Sequence, residues 1–491
     1  MNRAERLARL LRVLAAIIAE PGLNPLELAE RAGVSERTLR RDLAQLRDLG
    51  YDVAFTSGYE VQEKLNLEGR GAKHRARGRG DDALLQAVAH AVETAGLWHD
   101  TEPADVATPR RTRARKSGPA PIVLLPTGSA DPDFIHATGM AVENAVYIRF
   151  QEGDDVLVVS PLEIDRARGQ SRAASIVEDR EAYVRDGWAQ LAARMLRDRG
   201  LTRARVSPGL RALHLEDLRA EGIEVEVDRD LFQAERRHKT AEAAAAIRAA
   251  QKAAESAVVE VVRELAKADV RDGILWSNGD PLTSERLYAR AQLHLGEMGF
   301  TCPDMIIAGA PSSAIPHDRG SGPIKANAPV IIDIFPTSRT THFSGDLTRT
   351  VVVGEVSDEV RKMHAAVLQA LDAATETITA GVQAQEPHHT VCQVLVDRGY
   401  ATTTPGYEGA EGTARLNHST GHGVGLEVHE PPPMRHTVTA PLEEGDVVTV
   451  EPGLYLLGMG GVRVEDTGMV TKHGFENFTT LTRSLNPRDY L

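Results

Sequence analysis

Five residues in the C-terminal third of the chain have the types and order of a metal-ligand set. They are Asp333, Asp346, His422, Glu451 and Glu465. Four carboxylates and one imidazole form a hard, oxygen-rich set, which suits two divalent ions that share bridging carboxylates. Mn is the metal we expect first, with Co or Zn as alternatives. The pattern predicts a two-metal hydrolase site.

The flanking residues support this interpretation. Asp333 lies inside the apolar run VIIDIFP, where a carboxylate has a high desolvation cost unless it is paired or bound to metal. Asp346 opens the strand-like GDLTRTVVV, and His422 stands between glycines in GHGVG, where backbone and metal can approach closely. Glu451 ends VVTVE and Glu465 lies in GVRVED, so both come from strand-like segments.

The whole chain must fold these segments together. At 491 residues it exceeds what one core usually supports, which predicts two to four domains. The two cysteines, Cys302 and Cys392, form no paired pattern, so a reducing cytoplasm is expected. The arginine-rich start argues against a signal peptide, and the absence of any run of about 18 apolar residues predicts no membrane contact.

The sequence of residues 1–65 predicts a small helical domain at the N-terminus, called the head below. Apolar residues repeat with helical period, Ser35 is a suitable N-cap, and two short strands are expected around Ser57-Gly58. The third helix would place four polar side chains on the face opposite its leucines, where they can reach phosphates and guanine edges in the major groove. They are Arg37, Thr38, Arg41 and Gln45. The alternative is a three-helix bundle used only for dimerisation.

The phrase VSERTLRRDL, followed by the two strands, resembles the winged helix-turn-helix of bacterial regulators in the DeoR-like and WYL-associated families. This resemblance implies binding of double-stranded DNA. Residues 66–120 contain two basic, Gly- and Ala-rich runs and predict a flexible linker, although their arginines could also contact DNA phosphates.

Residues 121–232 predict an α/β domain, because Val- and Ile-rich runs alternate with helical stretches. The segment resembles the noncatalytic N-terminal domain of creatinase, prolidase and aminopeptidase P, which implies a homodimer. His136 and His214 are expected to be structural or exposed.

In residues 233–491, an Ala-rich helix precedes the five ligand phrases. These phrases resemble the metallopeptidase family with the pita-bread fold, which includes methionine aminopeptidase, prolidase and aminopeptidase P. The expected architecture is therefore α/β multidomain: winged helix-turn-helix, creatinase-like α/β domain and pita-bread α+β catalytic domain.

The flanks distinguish the branches of this family. His418 stands four residues before His422, Asp466 follows Glu465, and the phrases HEPP and EPGLY are similar to the Xaa-Pro branch. The resemblance implies hydrolysis of Xaa-Pro bonds in proline-containing peptides. It implies that Glu451 is both ligand and proton shuttle.

The same resemblance assigns catalytic and substrate-binding roles to His317, His418 and His429. It also places Arg463 among the substrate-binding residues and makes it the partner of an acidic ligand. His388 and His389 have no surrounding motif and are expected to have no catalytic role. A decayed, metal-free site like that of creatinase is the alternative, and the intact ligand set argues against it.

One interval departs from the family pattern. Asp333 and Asp346 are two residues further apart than usual, IFPTS replaces a glycine-containing turn, and His342 and Phe343 stand where glycine and tyrosine are common. A longer hairpin could alter the rim of the pocket, but ligation needs only that the two strand ends stay aligned. Two functions remain open: an Xaa-Pro peptidase with a DNA-binding head, or a transcription regulator whose peptidase-like domain senses a peptide or metal with little or no turnover.

Overall fold

The computed structural model describes residues 119–128 and 130–491, and near the N-terminus residue 13 with ranges 25–32, 34–35, 38–39, 41–43, 53–55 and 59–61. The chain divides into two compact units, Met1–Arg115 and Lys116–Leu491. Most of the predicted linker lies outside the described residues. So do two of the predicted DNA contacts, Arg37 and Gln45.

The described parts of the first unit agree with the predicted helix-turn-helix head. Helix α1 (Pro25–Arg31) has a buried apolar side. Strands β1 (Val53–Phe55) and β2 (Tyr59–Val61) pair antiparallel, and Ser57-Gly58 itself lies outside the described residues. The Ser35 hydroxyl accepts a hydrogen bond from the Thr38 amide at 3.3 Å, as a helix N-cap does.

The predicted α/β domain is a six-stranded sheet with the order β6-β5-β4-β3-β7-β8. Its strands are β3 (Ile122–Leu124), β4 (Ala145–Gln151), β5 (Asp154–Val159), β6 (Ser175–Glu178), β7 (Arg203–Val206) and β8 (Glu224–Val227). Its helices are α2 (Pro132–Thr138), α3 (Ile164–Gln170), α4 (Arg180–Arg185), α5 (Trp188–Asp198) and α6 (Ala212–Ala220). Successive side chains of β4 enter two different apolar clusters, so both faces of the sheet are covered.

The C-terminal part begins with α7 (Gln233–Arg237) and the predicted Ala-rich helix α8 (Ala241–Ala266), which Thr240 caps. Its other helices are α9 (Ser284–Glu297), α10 (Asp358–Thr377) and α11 (Glu386–Asp397). The outer short strands are β9 (Asp269–Arg271), β10 (Ile274–Ser277), β11 (Asp280–Pro281), β12 (Phe300–Thr301) and β15 (Thr337–Ser338). Helix α8 is buried along most of its length because its alanines and valines pack against the strands that follow.

Three antiparallel or mixed sheets form the centre of this part. The first has the order β13-β14-β16, with β13 (Ile306–Gly309), β14 (Pro329–Ile334) and β16 (Leu347–Val352). The second has the order β17-β18-β22-β23, with β17 (Ala401–Thr402), β18 (Arg415–Leu416), β22 (Gly453–Leu456) and β23 (Gly460–Arg463). The third has the order β20-β19-β21-β24-β25, with β19 (Gly421–Gly423), β20 (Glu430–Met434), β21 (Val447–Val450), β24 (Asp466–Thr471) and β25 (Gly474–Asn477).

This α+β arrangement, next to the α/β domain, agrees with the predicted fold class. Over the residues that the structure describes, no helix has the length and apolar character needed to cross a membrane.

Candidate metal centre and active site

The five predicted ligands lie at or beside strand ends. In the pairing of β14 with β16, Asp333 stands opposite Thr348, two residues after Asp346. Because side chains alternate along a strand, this register places Asp333 on the same side as Thr348 and Asp346. His422 lies in the middle of β19, Glu451 follows β21, and Glu465 precedes β24. The longer interval therefore leaves the two aspartate-bearing strands in register.

Three of the five side chains form a compact group. Ligand atoms of Asp346, His422 and Glu465 lie within 4.8 Å of one another. His422 Nε2 is 3.6 Å from Asp346 Oδ2 and 3.3 Å from Glu451 Oε1. Asp333 is not in the compact group, and its Oδ2 accepts a hydrogen bond from Arg463 Nη2 at 2.6 Å. The structure thus places Glu451 against His422, and Asp333 against Arg463.

The four carboxylates Asp333, Asp346, Glu451 and Glu465, together with His422, are called the acidic group below, and their chemistry suits the binding of cations. Asp333 Oδ1 and Glu465 Oε1 are buried and find no hydrogen-bond partner in the described part of the chain. Burial raises the pKa of Asp346 well above its usual range, and so do the nearby charges of Glu465 and Asp333. Burial and the charge of Glu451 act in the same direction on the pKa of Glu465. A divalent ion would coordinate these unpaired carboxylate oxygens and neutralise the repulsion between their charges.

Glu451 differs from these acids. Burial by itself would raise its pKa, but the hydrogen bond and charge of His422 lower the pKa of Glu451 to about 2. Burial likewise opposes protonation of His422, while Glu451 raises the pKa of that imidazole. Glu451 is therefore held ionised, as a proton acceptor must be.

Arg463 connects one acidic ligand to a predicted substrate residue. Besides Asp333, it donates to the Tyr455 hydroxyl at 2.7 Å. That hydroxyl is 2.9 Å from His418 Nε2. Burial raises the pKa of Tyr455 to about 12, so this phenol stays protonated. Sequence reasoning noted the phrase EPGLY but assigned no role to its tyrosine.

Thr348 was also missed. Its hydroxyl donates to Glu465 Oε2 at 2.7 Å and accepts from Arg463 Nε at 3.3 Å. Of the two carboxylate oxygens of Glu465, Oε1 then has no partner in the described structure, so Oε1 is the one available to a metal. The signal available in the sequence was the position of Thr348, two residues after Asp346 and hence on the same side of the strand.

The predicted substrate histidines are less buried than the ligands. The rings of His422 and His429 are perpendicular, with centroids 4.2 Å apart. His429 and His317 are exposed, and His418 is half-buried. Burial lowers the pKa of His429 and of His418, and the charge of His317 contributes to both shifts. These histidines are thus close enough to influence one another electrostatically, and a neutral imidazole can donate a hydrogen bond through one ring nitrogen and accept one through the other.

The other histidines behave differently. His388 is only 2% exposed and lies between Thr420 and Thr404, with ring nitrogens 2.9 and 2.8 Å from their hydroxyls. The carbonyl of Thr420 accepts from the Glu451 amide at 2.8 Å, so His388 supports the backbone beside a ligand. His136 lies in α2 of the α/β domain, where its Nε2 is 3.2 Å from Glu235 Oε2 of α7. Neither touches the acidic group in the contacts described above.

The long hairpin between Asp333 and Asp346 contains a residue other than glycine in the left-handed region. His342 has a φ of 62°, in the left-handed region that favours glycine. Strand β15 pairs with β12 and so anchors the extra residues. Phe343 packs against the apolar cluster of Ile247 and Val424, which holds the returning arm of the hairpin.

Comparisons with known proteins agree with this geometry. Residues 245–472 match the model described as Metallopeptidase family M24, and residues 9–60 match the model of an HTH domain. The Xaa-Pro dipeptidase of Pyrococcus horikoshii is 37% identical over 183 residues, which are 37% of this chain and 48% of that protein. The Xaa-Pro dipeptidase of Pyrococcus furiosus is 36% identical over 183 residues, covering 37% and 49%. This chain thus spans about half the length of the curated relatives it matches.

Solved structures extend the similarity to the α/β domain. The prolidase from Pyrococcus horikoshii OT3 superposes with a TM-score of 0.61 at 26% identity, covering 74% of this chain and 94% of that one. The X-Pro aminopeptidase from Thermotoga maritima MSB8 gives a TM-score of 0.62 at 23% identity, covering 74% and 96%, which shows the fold alone.

Proposed function

We propose, on the premise that residues 245–472 form an M24 metallopeptidase domain and residues 9–60 an HTH domain, that this chain is a metal-dependent Xaa-Pro peptidase with a DNA-binding head. It would hydrolyse the Xaa-Pro bond of dipeptides or at the N-terminus of longer peptides. The observation that carries the proposal is the group Asp346, His422 and Glu465, which lies within residues 245–472, the segment that matches the M24 metallopeptidase model. We further propose a cytoplasmic homodimer, from the two unpaired cysteines and the creatinase-like domain.

The five ligand residues would hold two divalent ions, with Mn first and Co or Zn as alternatives. Such ions supply a water of lowered pKa and a Lewis acid for the scissile carbonyl. Glu451 takes the proton of the attacking water and delivers it to the leaving proline nitrogen, since its carboxylate is held ionised by His422. Two of the other ligand carboxylates, Asp333 and Glu465, are held in position by Arg463 and Thr348, respectively.

The histidines bind and orient the peptide. His429 lies beside His422 with an exposed ring, where it can donate to the substrate carbonyl as negative charge develops. His418 is oriented by the Tyr455 hydroxyl, and His317 completes the rim. In this proposal the N-terminal residue of the substrate lies at the acidic group and proline lies beyond it.

A peptide panel tests the activity. With Mn²⁺ or Co²⁺ bound, the protein is expected to release the N-terminal residue from Xaa-Pro dipeptides or from X-Pro tripeptides and pentapeptides. The matched X-Ala peptides should react at least about 100-fold more slowly, which corresponds to roughly 2.7 kcal/mol of discrimination. The measurement is release of free amino acid by chromatography. Release from no member of the panel, with metal shown to be bound, would refute the peptidase proposal and favour the alternative of a regulator that senses a peptide or metal.

The head is proposed to bind double-stranded DNA. The Arg41 side chain is 62% exposed, while Leu39 and Leu43 on the same helix are buried. This is the division of faces that a recognition helix needs. The hydroxyl of the half-buried Thr38 lies 3.0 Å from the hydroxyl of Ser35. This contact would position the N-terminal end of the helix for contact with a DNA phosphate.

Arg41→Ala is expected to weaken duplex binding by about 1–3 kcal/mol and to reduce the dependence of affinity on salt, because one cationic contact is lost. Fluorescence anisotropy at several salt concentrations measures both effects. Arg168→Ala, which removes an equally exposed arginine from the α/β domain, should leave affinity unchanged. Equal duplex binding by a chain that begins at residue 66 would exclude the head as the DNA-binding element.

A further inference from the structure

A buried ion cluster joins the α/β domain to the loop that carries His429. At its centre is Glu430, whose side chain is 2% exposed. Lys239 Nζ donates to Glu430 Oε1 and Arg236 Nη2 donates to Glu430 Oε2, both at 2.7 Å. Arg236 also donates to Glu427 at 2.5 Å and to Asp133 at 3.1 Å. The cluster is therefore shared by three separate segments of the chain.

The position of Glu430 explains its connection to the active site. Glu430 is the first residue of β20 and directly follows His429, and neighbouring side chains of a strand point to opposite sides. His429 faces the ring of His422, whereas Glu430 faces the junction between the domains. In the register of β19 with β20, Gly423 pairs with Glu430, so the loop of residues 424–429 is closed at its base by this pair.

The loop is built around the Glu430 carboxylate. A Cβ on Gly425 would lie 2.3 Å from Glu430 Oε1, so the carboxylate occupies the space that a side chain would need there. The Gly425 carbonyl also accepts from the Ser344 amide at 2.8 Å, which ties the loop to the hairpin that precedes Asp346. Any movement of Glu430 must therefore move the backbone of residues 424–429.

A buried carboxylate keeps its place only if cations compensate the loss of solvation. For Glu430 the cations come from the chain segment that connects the two domains, since Arg236 is in α7 and Lys239 precedes α8. Asp133, in the first turn of α2, extends the same contacts into the α/β domain. Arg236 thus contacts both the α/β domain and Glu430, while Lys239 holds the other oxygen of the same carboxylate.

We propose that Glu430 is a positioning residue for His429, and that Arg236 and Lys239 hold it through the domain junction. The proposal rests on the proposed peptidase function for its consequence in catalysis, because His429 would then bind the substrate. Loss of either ion pair lets the loop of residues 424–429 relax and misplaces the His429 ring. A displacement of about 1 Å in a catalytic group can cost on the order of 100-fold in rate.

Two variants test the proposal in the full-length protein with saturating Mn²⁺. Glu430→Gln and Lys239→Met are expected to lower kcat/KM for an Xaa-Pro dipeptide by roughly 10- to 100-fold. Lys239→Arg keeps the charge and should restore most of the activity. The matched control is Arg237→Met, which removes a neighbouring junction ion pair, to the fully buried Asp446. It should lower the melting temperature comparably but change kcat/KM less than two-fold. An equal loss of activity in Arg237→Met would overturn the proposal.

A double-mutant cycle with His429→Ala separates positioning from a general structural effect. If Glu430 acts through His429, Glu430→Gln should cause little further loss in the His429→Ala background, because coupled residues are not additive. An undiminished loss in that background would contradict the proposal.

Hydrogen exchange gives a readout that does not depend on turnover. In Glu430→Gln and Lys239→Met, the amides of residues 424–429 should exchange at least about 10-fold faster, and in Arg237→Met they should not. Unchanged protection would refute the positioning role even if the wild-type protein cleaved no peptide, so failure of this inference and failure of the proposed function are distinguishable.

Discussion

Asp346→Asn is expected to abolish Xaa-Pro hydrolysis and metal binding, and at the same time to raise the melting temperature of the metal-free protein. Burial and the charges of Glu465 and Asp333 raise the pKa of Asp346, so an ionised Asp346 is unfavourable until a cation is present. Removing its charge relieves this repulsion. The same change removes a ligand, and the loss of metal-assisted catalysis is worth several kcal/mol, or at least about 1000-fold in kcat/KM.

Metal content by atomic emission, peptide release and thermal unfolding with and without chelator measure the three effects. In the wild-type protein Mn²⁺ should raise the melting temperature, because a ligand that binds only the folded state stabilises it. In Asp346→Asn that rise should disappear. Asp446→Asn is the control: this aspartate is fully buried but pairs with Arg237, so its replacement should lower the melting temperature and leave metal content unchanged. Unaltered metal stoichiometry in Asp346→Asn would show that the acidic group is not the metal site.

Local patterns were sufficient to predict many of the elements and to select the candidate ligand residues. Strands β3, β4 and β5 of the α/β domain follow from apolar runs between turn signals, and α8 follows from its Ala-rich composition. Strands β6, β7 and β8 are largely exposed or polar and were not predicted. Asp333 could be recognised because a carboxylate in an apolar strand is costly without a partner. In each case the information lies within about ten residues of the chain.

Features that depend on long-range pairing could not be predicted in this way. Tyr455 meets Arg463 only because β22 pairs with β23, and it meets His418 across 37 residues. His388 has no local motif, and its partners Thr404 and Thr420 are 16 and 32 residues away. Glu430 was visible in the phrase HEPP, but its cations precede it by more than 190 residues. A single sequence does not specify which distant polar groups meet, because many registers satisfy the same apolar pattern.

The left-handed turn at His342 is another example. The residues showed that the usual glycine was absent and the interval longer, but not how the backbone would respond. In the structure His342 itself has a positive φ, and the pairing of β15 with β12 anchors the longer hairpin. The constraint comes from the two flanking strands, whose register must be kept for Asp333 and Asp346 to share one side.

Glu451→Gln is expected to lower kcat by about 1000-fold while the protein still binds metal. The amide has nearly the same shape as the carboxylate and keeps one oxygen, but it cannot accept the proton of the attacking water. General acid–base catalysis contributes roughly 10²- to 10⁴-fold, so the expected loss lies within that range. The group Asp346, His422 and Glu465 is untouched and should retain at least one ion. Steady-state kinetics and metal analysis of the same sample measure the two quantities.

The comparison with Asp346→Asn separates the two roles assigned to Glu451. If Glu451 were only a ligand, its replacement would lower activity and metal content together, and added Mn²⁺ would restore turnover. If it transfers the proton, saturating metal cannot restore turnover, because the missing step belongs to the side chain. Glu255→Gln is the matched control, since Glu255 is buried on α8 and accepts from the backbone of Leu481. A kcat in Glu451→Gln within ten-fold of the wild type would assign proton transfer to another group.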